Sequence, residues 1–494
     1  MIGCIATACL TVCLLGHLTD VTERKSSRYK YVDFFNEEED FEVLFMGTSH
    51  VRNGIFPMEL WNDYGIVSYN LGGHGNRGAT TYWTLQNALD YTNPKVVVID
   101  CLFFTGGGKT DKNFSNVHLS LDGFPTTLTK VRAIWDLLDD EALDEEIASG
   151  RWSESDTGTE PRTKIGLLWD YSVYHSRWNQ LTSSDFSPGK NLEKGAESRI
   201  AVTPGTFEKI TSYSDVDNGT VGEEYFRKMI EDCQRRGIEV LLTYLPFPAG
   251  EGSQNDANYV NEIAEEYGIN YINFLDLNVV NYKTDCYDKN SHLNPSGARK
   301  VSNYLGQYLT QNYDVGNQKN NKVYADWNED YIAYCDMKDK NFRNNEDLYQ
   351  YLMLLSDDDV EIVMDVRDKT IFQNDLALEL LQNIGAEKDS LNENTDFIII
   401  RNRGTEVAVL DNFRNDGAQI NIDGHNYNLS YDISGENHEG KTGYFCVYKD
   451  DELLVENNAE DDTSLDISVF RDNERIDNAK FTYKVEHGYK RKKL

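Results

Sequence analysis

Short apolar runs alternate with amphipathic stretches between Phe41 and Asn312. An apolar run of about four to eight residues, bounded by turn residues, is typical of a strand that is buried on both faces. The runs predict strands at Val43–Met46, Ile66–Asn70, Lys95–Asp100, Ile238–Tyr244 and Ile269–Phe274. The interruption between the third and fourth strands is much longer than the others.

The amphipathic stretches between these runs have the spacing of helices. They predict helices at Met58–Tyr64, Thr80–Tyr91, Glu223–Arg236, Asn255–Tyr267 and Pro295–Asn312. Pro57 suits a first helical turn, and Gly237 and Gly268 suit helix ends. Strands that alternate with helices over short links predict an α/β fold with a doubly wound parallel sheet.

The chain outside this alternation divides into two further regions. Residues 101–221 are rich in Gly, Ser and Thr, with an acidic helix predicted near Trp135–Ala148, and we expect an insertion there that covers or binds a ligand. The predicted domain therefore spans residues 40–312, with the insertion inside it. Asn317–Lys322 resembles a linker in composition.

Residues 323–494 predict a C-terminal accessory region that is α/β at first and then rich in strands. Its early elements are predicted at Asn345–Leu355, Val360–Val366, Asp375–Ile384 and Asp396–Arg401. From Val407 onward, short strands alternate with Asp-Gly, Asn-Asp-Gly and Ser-Gly turns.

Composition adds constraints on partners. The 494 residues carry a net charge of −35, from 83 acidic and 48 basic residues, which disfavours binding to nucleic acid. The eight cysteines form no CxxC pair, and no motif predicts a metal, a cofactor or a disulfide framework.

The N-terminal residues 1–18 are nearly uncharged and apolar. Their length is at the short limit for a membrane-spanning helix, so we expect an uncleaved signal anchor, with a buried N-terminal helix as the alternative. Arg24, Lys25, Arg28 and Lys30 follow the segment and argue against an outside location of the rest of the chain. The orientation therefore stays open.

Ser49 is the first candidate for chemistry. It ends Gly47-Thr48-Ser49, which directly follows the first predicted strand. A tight turn at the carboxyl end of such a strand presents a serine hydroxyl at the sheet edge. A serine nucleophile also needs a base and donors for the developing oxyanion.

His292 is the candidate base. It lies in Asp288–Gly297, between the last predicted strand and the last predicted helix, and that loop is expected to return to the same sheet edge as Ser49. An upstream carboxylate would orient the imidazole. Asp288 is the first choice for this role and Asn290 the second.

The Gly-rich turn Asn70–Asn76 is the third element. Its glycines allow backbone N–H groups to point at a ligand, so the Ser49 and Gly73 N–H groups and the Asn76 side chain are candidate oxyanion donors. His74 is a candidate substrate contact. Each element also has a structural interpretation, as a helix cap or a tight loop, but their convergence on one edge favours chemistry.

Within the insertion, Arg177 and Trp178 are candidate substrate-binding residues. The guanidinium suits a carboxylate or phosphate, and the indole suits the face of a sugar. Packing within the insertion is the alternative.

These motifs resemble the SGNH hydrolase superfamily. The resemblance rests on Gly47–His50, the Gly-rich turn and Asp288–Gly297, and it covers about residues 40–312. His118–Ile134 and Tyr174–Trp178 resemble more closely the DltD-like branch and proteins encoded with membrane-bound O-acyltransferases.

The resemblance implies a flavodoxin-like sheet with Ser49 as nucleophile, His292 as base, Asp288 as acid and Gly73 as oxyanion donor. Two departures matter. Asp288 stands four positions before His292 rather than two or three, and Cys101–Phe103 stand where the hydrolases carry a third-block Asn. The second departure favours an acyltransferase over a fast esterase.

The implied protein is an extracytoplasmic, membrane-anchored serine acyltransferase of the cell envelope. It moves an acyl group, with acetyl the first expectation, onto a polysaccharide through an acyl-serine, with a membrane-bound O-acyltransferase as partner. The alternatives are a secreted carbohydrate esterase on the same triad and a noncatalytic glycan-binding protein.

The stretch Asp347–Gly404 resembles part of the interleukin-like EMT inducer domain. The resemblance rests on Tyr349 with Tyr351-Leu352, strand Val360–Val366, Leu376–Gly385 and Phe397–Gly404. It implies a noncatalytic module that binds a glycan or a protein partner.

Overall fold

A computed structural model gives the structure of the chain. It describes residues 3, 6–8, 10–11, 29–37, 39–102, 117, 120–121, 123–138, 164–168, 191–216, 218–289, 292–387, 390–391, 397–404, 406–411, 417–432, 444–458, 464–484 and 488–492.

The chain divides into two compact units. The first comprises Met1–Ser198, Phe207–Val280 and Ala298–Ile332, and the second comprises Arg199–Thr206, Asn281–Gly297 and Ala333–Leu494. Two short segments from within the predicted domain of residues 40–312 thus belong to the second unit.

The first unit contains a parallel sheet and helices. Its strands are β1 (Val43–Met46), β2 (Ser68–Asn70), β3 (Val96–Asp100), β4 (Glu239–Tyr244) and β5 (Asn270–Asn273). Its helices are α1 (Tyr29–Asn36), α2 (Ser49–Gly54), α3 (Pro57–Tyr64), α4 (Gly78–Ala88), α5 (Leu128–Leu137), α6 (Val221–Arg236) and α7 (Glu251–Tyr267). Helices α8 (Pro295–Asn312) and α9 (Ala325–Asn344) each contain residues of both units.

The five strands are all parallel and lie in the order β2-β1-β3-β4-β5. Every residue of β1 and β3 is buried, as expected for apolar strands in the middle of a parallel sheet. The predicted α/β fold with a parallel sheet is confirmed, together with antiparallel sheets in the C-terminal region.

Local signals determine several helix ends. Pro57 occupies the first turn of α3, which ends at Gly65 in the left-handed conformation. Gly237 and Gly268 end α6 and α7 in the same way, as the sequence predicts. In contrast, α4 begins at Gly78, two residues before the predicted start at Thr80. The Thr80 hydroxyl accepts from the Arg77 backbone N–H at 2.8 Å and donates to the Arg77 carbonyl at 3.1 Å, which stabilises the earlier start.

The residues after α8 pack on helix α3 and beside the residue that precedes β1. In the stretch predicted as a linker, the Asn317 N–H donates to the Tyr64 carbonyl at 2.9 Å, and the Gln318 side chain donates to Glu42 at 3.0 Å. Further on, the buried Trp327 ring lies 5.4 Å from the ring of Trp61. These contacts attach residues 317–327 to the first unit.

The second unit contains two antiparallel sheets. The six-stranded sheet has the order β15-β14-β13-β6-β7-β8 and the four-stranded sheet the order β12-β11-β10-β9. The strands are β6 (Glu361–Val366), β7 (Phe397–Arg401), β8 (Val407–Asp411), β9 (Ala418–Ile422), β10 (His425–Asp432), β11 (Tyr444–Lys449), β12 (Glu452–Asn458), β13 (Ser464–Arg471), β14 (Glu474–Lys484) and β15 (Gly488–Lys492). The helices are α10 (Leu348–Leu354) and α11 (Asp375–Asn383).

Short 3-10 turns also occur among the described residues. They occur at Gly166–Leu168, Phe274–Asp276, Gln318–Asn320, Lys322–Tyr324 and Lys369–Gln373.

Successive side chains of the central strands point to opposite faces of the six-stranded sheet, so the second unit has two apolar cores. Ile399 of β7 packs with residues of α10 and α11, whereas Ile398 and Ile400 pack with the four-stranded sheet. Both faces of β7 are buried, which accounts for its apolar run from Phe397 to Ile400 before the buried Arg401. The six-stranded sheet therefore lies between a helical layer and the four-stranded sheet.

Hairpin turns in this unit follow the sequence signals where they are described. Asp423 and Gly424 join β9 to β10 with φ values of 50° and 83°, which is typical of an Asp-Gly hairpin turn. The predicted Ser-Gly turn, and all but the glycine of the Asn-Asp-Gly turn, lie outside the described residues.

Within the described part of the chain, no helix combines the length and the apolar character needed to cross a bilayer. The anchor predicted for residues 1–18 falls largely outside that part.

Candidate functional site

The turn after β1 is built around Gly47. Its φ is 153°, and a Cβ at this position would lie 2.6 Å from the Val51 side chain and 3.1 Å from the Asp100 Cβ. A residue with a side chain therefore cannot occupy the turn without displacing its neighbours. Gly47 brings the chain directly from the buried strand into helix α2.

Thr48, rather than Ser49, caps helix α2. The Thr48 hydroxyl accepts from the His50 N–H at 3.2 Å, and both of these residues are buried. The His50 ring packs against Phe247, with 5.0 Å between the ring centroids. Ser49, between them, is half-buried, so a capping role for its side chain is not needed.

The Gly-rich turn after β2 packs directly on the Ser49 turn. A Cβ on Gly72 would lie 2.7 Å from the backbone nitrogen of Arg52, so only glycine permits this approach. The buried Asn70 side chain donates to the carbonyls of Val51 and Ile55 at 2.7 and 2.8 Å. Asn70 thus attaches the second strand to helix α2.

Sequence reasoning did not identify this role of Asn70. The available signal was a polar residue at the carboxyl end of a buried strand, next to a Gly-rich turn.

The Gly73 and Asn76 donors are both engaged with Gly47. The Gly73 N–H donates to the Gly47 carbonyl at 3.1 Å, and the Asn76 Nδ2 lies 3.4 Å from the same oxygen. The Asn76 Oδ1 accepts from the Ser120 hydroxyl at 2.6 Å. The oxyanion role of Gly73 and Asn76 stays a prediction, and it requires these hydrogen bonds to be exchanged during a reaction.

A charged cluster surrounds His74. Its Nε2 lies 3.1 Å from Glu197 Oε2, and the same oxygen lies 2.8 Å from the Arg52 guanidinium. Arg52 is buried and His74 is half-buried. Burial, with some help from the Glu197 charge, raises the pKa of neighbouring Glu193 to about 7.

Asp100, at the carboxyl end of β3, lies next to the Ser49 turn. It is buried, and its Oδ1 accepts from the Leu245 N–H at 2.9 Å, while Oδ2 is buried and has no hydrogen-bond partner among the residues that the structure describes. Burial raises the pKa of the carboxyl to about 7, against the lowering effect of backbone N–H groups. Sequence reasoning treated Asp100 only as part of a strand.

The second unit contains an acid–histidine pair. The Asp288 carboxylate lies 2.9 Å from His292 Nδ1, and its other oxygen accepts from the His292 backbone N–H at 3.1 Å. Burial raises the pKa of the Asp288 carboxyl, but the bonds from His292 outweigh that effect and hold the pKa below its ordinary value. Because an ionised carboxylate only accepts, Nδ1 carries a proton in this arrangement.

The loop around this pair is a short hairpin. Cys286 and Leu293 form an antiparallel bridge, and the Tyr287 N–H donates to the His292 carbonyl at 2.8 Å. The Tyr287 ring stacks on the imidazole, with 5.5 Å between centroids. The side chain of His292 is 14% exposed, so the ring is held between its neighbours and partly accessible.

The predicted site residues thus fall into two groups. Ser49, Gly73, His74 and Asn76 lie together on two adjoining turns of the first unit. Asp288 and His292 lie together in the second unit.

Other predicted positions lie outside the described residues. These are Arg177 and Trp178 of the insertion and Asn290, the second choice for the acid. Among the residues that the structure describes, no group of three or more His, Cys, Asp or Glu side chains could hold a metal ion.

A scan of the sequence against protein-family models finds no match, and a search of curated proteins finds no significant one.

Proposed function

We propose that this chain is an SGNH-type serine acyltransferase, with Ser49 as nucleophile, His292 as base and Asp288 as the acid that orients it. The acyl group passes through Ser49 to a hydroxyl of a polysaccharide. The envelope location, the membrane anchor and a membrane-bound O-acyltransferase as donor partner belong to the same proposal, and they rest on the sequence resemblance and the apolar N-terminus.

The position of Ser49 in the sheet carries the proposal. The strand order β2-β1-β3-β4-β5 reverses direction between β1 and β3. In open parallel sheets, ligands bind outside the carboxyl ends of the strands at such a switch point. Ser49 stands three positions after the last residue of β1, on a turn that only Gly47 permits.

The Asp288–His292 pair supports the assignment of the base. A carboxylate bonded to Nδ1 fixes the tautomer in which Nε2 accepts a proton, and it stabilises the imidazolium that then forms. The spacing of four residues is compatible with this role, since both Asp288 oxygens bond to His292.

The chemistry proceeds in two balanced steps. In the first, Nε2 of His292 takes the Ser49 hydroxyl proton, Oγ attacks the acyl carbonyl, and the leaving group departs with that proton. In the second, Nε2 takes the proton of an acceptor hydroxyl, which attacks the acyl-serine, and Oγ leaves and regains a proton from the imidazolium.

The test uses the full chain, an activated acetyl ester and mass spectrometry of the peptide that contains Ser49. We expect an acetyl adduct on Ser49 that persists in water and transfers to added oligosaccharide. Rapid turnover to free acetate in place of transfer would mean an esterase. A folded protein that never acquires the adduct, even with donor-loaded membranes, would contradict the proposal.

A further inference from the structure

Helix α11 of the C-terminal region contacts the loop that carries His292. Glu379 accepts from the Lys283 ammonium at 2.5 Å and from the Asn281 side chain at 3.2 Å. One turn later, the Asn383 side chain donates to the Ser296 hydroxyl at 2.9 Å and to Asp285 at 3.3 Å. The helix therefore contacts both ends of the segment 281–297.

Asp285 is the centre of these contacts. It is fully buried, and its carboxylate accepts from the Ser296 hydroxyl at 2.8 Å and from the Asn281 N–H at 2.8 Å. The Asp285 backbone carbonyl accepts from the Asn294 N–H at 3.0 Å. A buried carboxylate is stable only with such donors, so the loop conformation depends on them.

Asn294 holds the two sides of the loop together. Its Nδ2 donates to the Thr284 carbonyl at 2.7 Å, and its Oδ1 accepts from the Ser296 N–H at 3.1 Å. The bridge from Cys286 to Leu293 follows directly, and it closes the hairpin in which His292 lies.

The segment 199–206 supports the loop from another side. The Thr203 N–H donates to the Cys286 carbonyl at 2.8 Å, and its hydroxyl donates to the Tyr287 carbonyl at 2.9 Å. Ile200 and Val202 pack against the core that α10 and α11 form with the six-stranded sheet. The loop is therefore continuous with the core of the C-terminal region.

We infer that the C-terminal region is a positioning element of the catalytic base, acting through Asn383 on the Asp285–Ser296 pair that holds the Asp288–His292 hairpin. This inference rests on the proposed function, in which His292 is the base. It gives residues 333–494 a role in the reaction, whereas the sequence predicts an accessory module.

The Asn383 amide limits small displacements of the loop that carries His292. Asn383 is the donor that the C-terminal helix supplies to the buried Asp285 carboxylate and to Ser296. Without it, Asp285 and Ser296 keep their bonds to each other and to residues 281 and 284, but the loop loses its hydrogen bonds from residue 383 of α11 and can shift. A shift of about 1 Å at a catalytic group can cost about a hundredfold in rate. An aspartate at 383 adds a like charge beside Asp285, which is more disruptive than the loss of the amide.

The test compares Asn383→Ala and Asn383→Asp with Gln382→Ala, which changes an exposed neighbour on the same helix. The first readout is the rate at which Ser49 acquires the acetyl adduct. We expect about a tenfold loss for Asn383→Ala, a larger loss for Asn383→Asp and no change for Gln382→Ala. Ser296→Ala, a smaller change in the same pair, replaces any variant that does not fold.

The second readout does not depend on activity. The low-field Nδ1 proton resonance of His292, assigned by its absence in His292→Ala, reports the bond to Asp288. We expect Asn383→Ala to shift or broaden this resonance and Gln382→Ala to leave it in place. If the resonance and the rate of Asn383→Ala both match Gln382→Ala, the inference is overturned.

The two proposals fail in different ways. Absence of an adduct in the unaltered protein contradicts the proposed function, whereas the resonance still decides whether α11 positions the hairpin. An adduct that forms at the same rate in all three variants, with the His292 resonance in the same place, contradicts only the positioning role.

Discussion

The parallel sheet of the first unit and the antiparallel sheets of the second unit use buried residues differently. In the first unit, β1 and β3 are apolar runs, apart from Asp100 at the end of β3. In the second unit, buried ions stand at the ends of central strands: Arg367 directly follows β6 and Arg471 ends β13, and each pairs with a nearby carboxylate. The first sheet therefore depends on apolar burial, and the second depends also on charge pairs that have to form together.

The two groups of candidate site residues also differ in which residues support them. The Ser49 turn is determined by a few neighbouring glycines and by Asn70. The His292 hairpin depends on residues distant in sequence, from Thr203 to Asn383. The substitutions below test whether each region depends on residues that are close to it in the sequence or on residues that are distant in the sequence.

The largest expected effect is at Ser49. Ser49→Ala removes the proposed nucleophile without altering the cap, which Thr48 provides. We expect the rate of acyl transfer to fall by about a thousandfold or more, with an unchanged melting temperature. Transfer assays with labelled acetyl donor measure this, and full activity in Ser49→Ala would remove the acyltransferase assignment.

Asp100 gives a large effect of pH on stability. Because burial raises its pKa from 3.8 to about 7, the folded state holds a proton that the unfolded state has released. Its contribution to the free energy of unfolding therefore falls as pH rises from about 4 to about 7, by about 4 kcal/mol in all. Asp100→Asn should flatten this slope.

Urea unfolding of both forms at pH 5 and pH 8 measures the difference. The Asn form should be the more stable of the two at pH 8. Equal slopes in both forms would mean that the Asp100 carboxyl titrates normally.

Arg367 tests the charge pairs of the second unit. It is fully buried, pairs with Asp466 and lies 3.3 Å from the Asp365 carboxylate. Arg367→Met removes this cation from both buried carboxylates and leaves Asp466 with the Lys480 ammonium at 3.7 Å, so we expect a loss of about 3 kcal/mol in unfolding free energy.

Arg403→Met is the matched control, because Arg403 is half exposed and its partner Asp472 is more exposed still. We expect a loss of less than about 1 kcal/mol there. Urea denaturation compares the two variants, and equal losses would contradict the structural importance of the buried pair.

Gly47 gives the smallest of these effects on stability and tests the local turn. Gly47→Ala places a Cβ 2.6 Å from the Val51 side chain at a φ of 153°. We expect a loss of about 2 kcal/mol and a lower acylation rate, because Ser49 moves with the turn. At Gly237, with a φ of 72° and open space around the new Cβ, alanine should cost about 1 kcal/mol. Thermal unfolding distinguishes the two, and a tolerated alanine at 47 would mean that the turn is not strained.

Individual elements differ in how well the sequence alone predicts them. Strand β1 was predicted with its observed bounds, since four apolar residues before Gly47 leave little ambiguity. Helix α9, in contrast, was not predicted, because its sequence mixes charged and aromatic residues. Its Trp327 is buried in the folded chain, where it packs against Phe41 and Trp61. The hydrogen bond of Gly73 to Gly47 was equally hidden, because the direction of an N–H depends on the final fold of the turn.

The sequence by itself determined the order in which the five strands and the helices between them follow one another along the chain, the turn at Gly47 and the residues of the Asp288–His292 pair. The spacing of apolar residues and the positions of glycines are properties of neighbouring residues, so they can be recognised without knowing how the chain packs. The tertiary structure decided which residues support these elements: Asn70 beneath helix α2, and Asp285, Ser296 and Asn383 behind the His292 hairpin. Buried polar groups need specific partners, and only the packed chain brings those partners within hydrogen-bond distance.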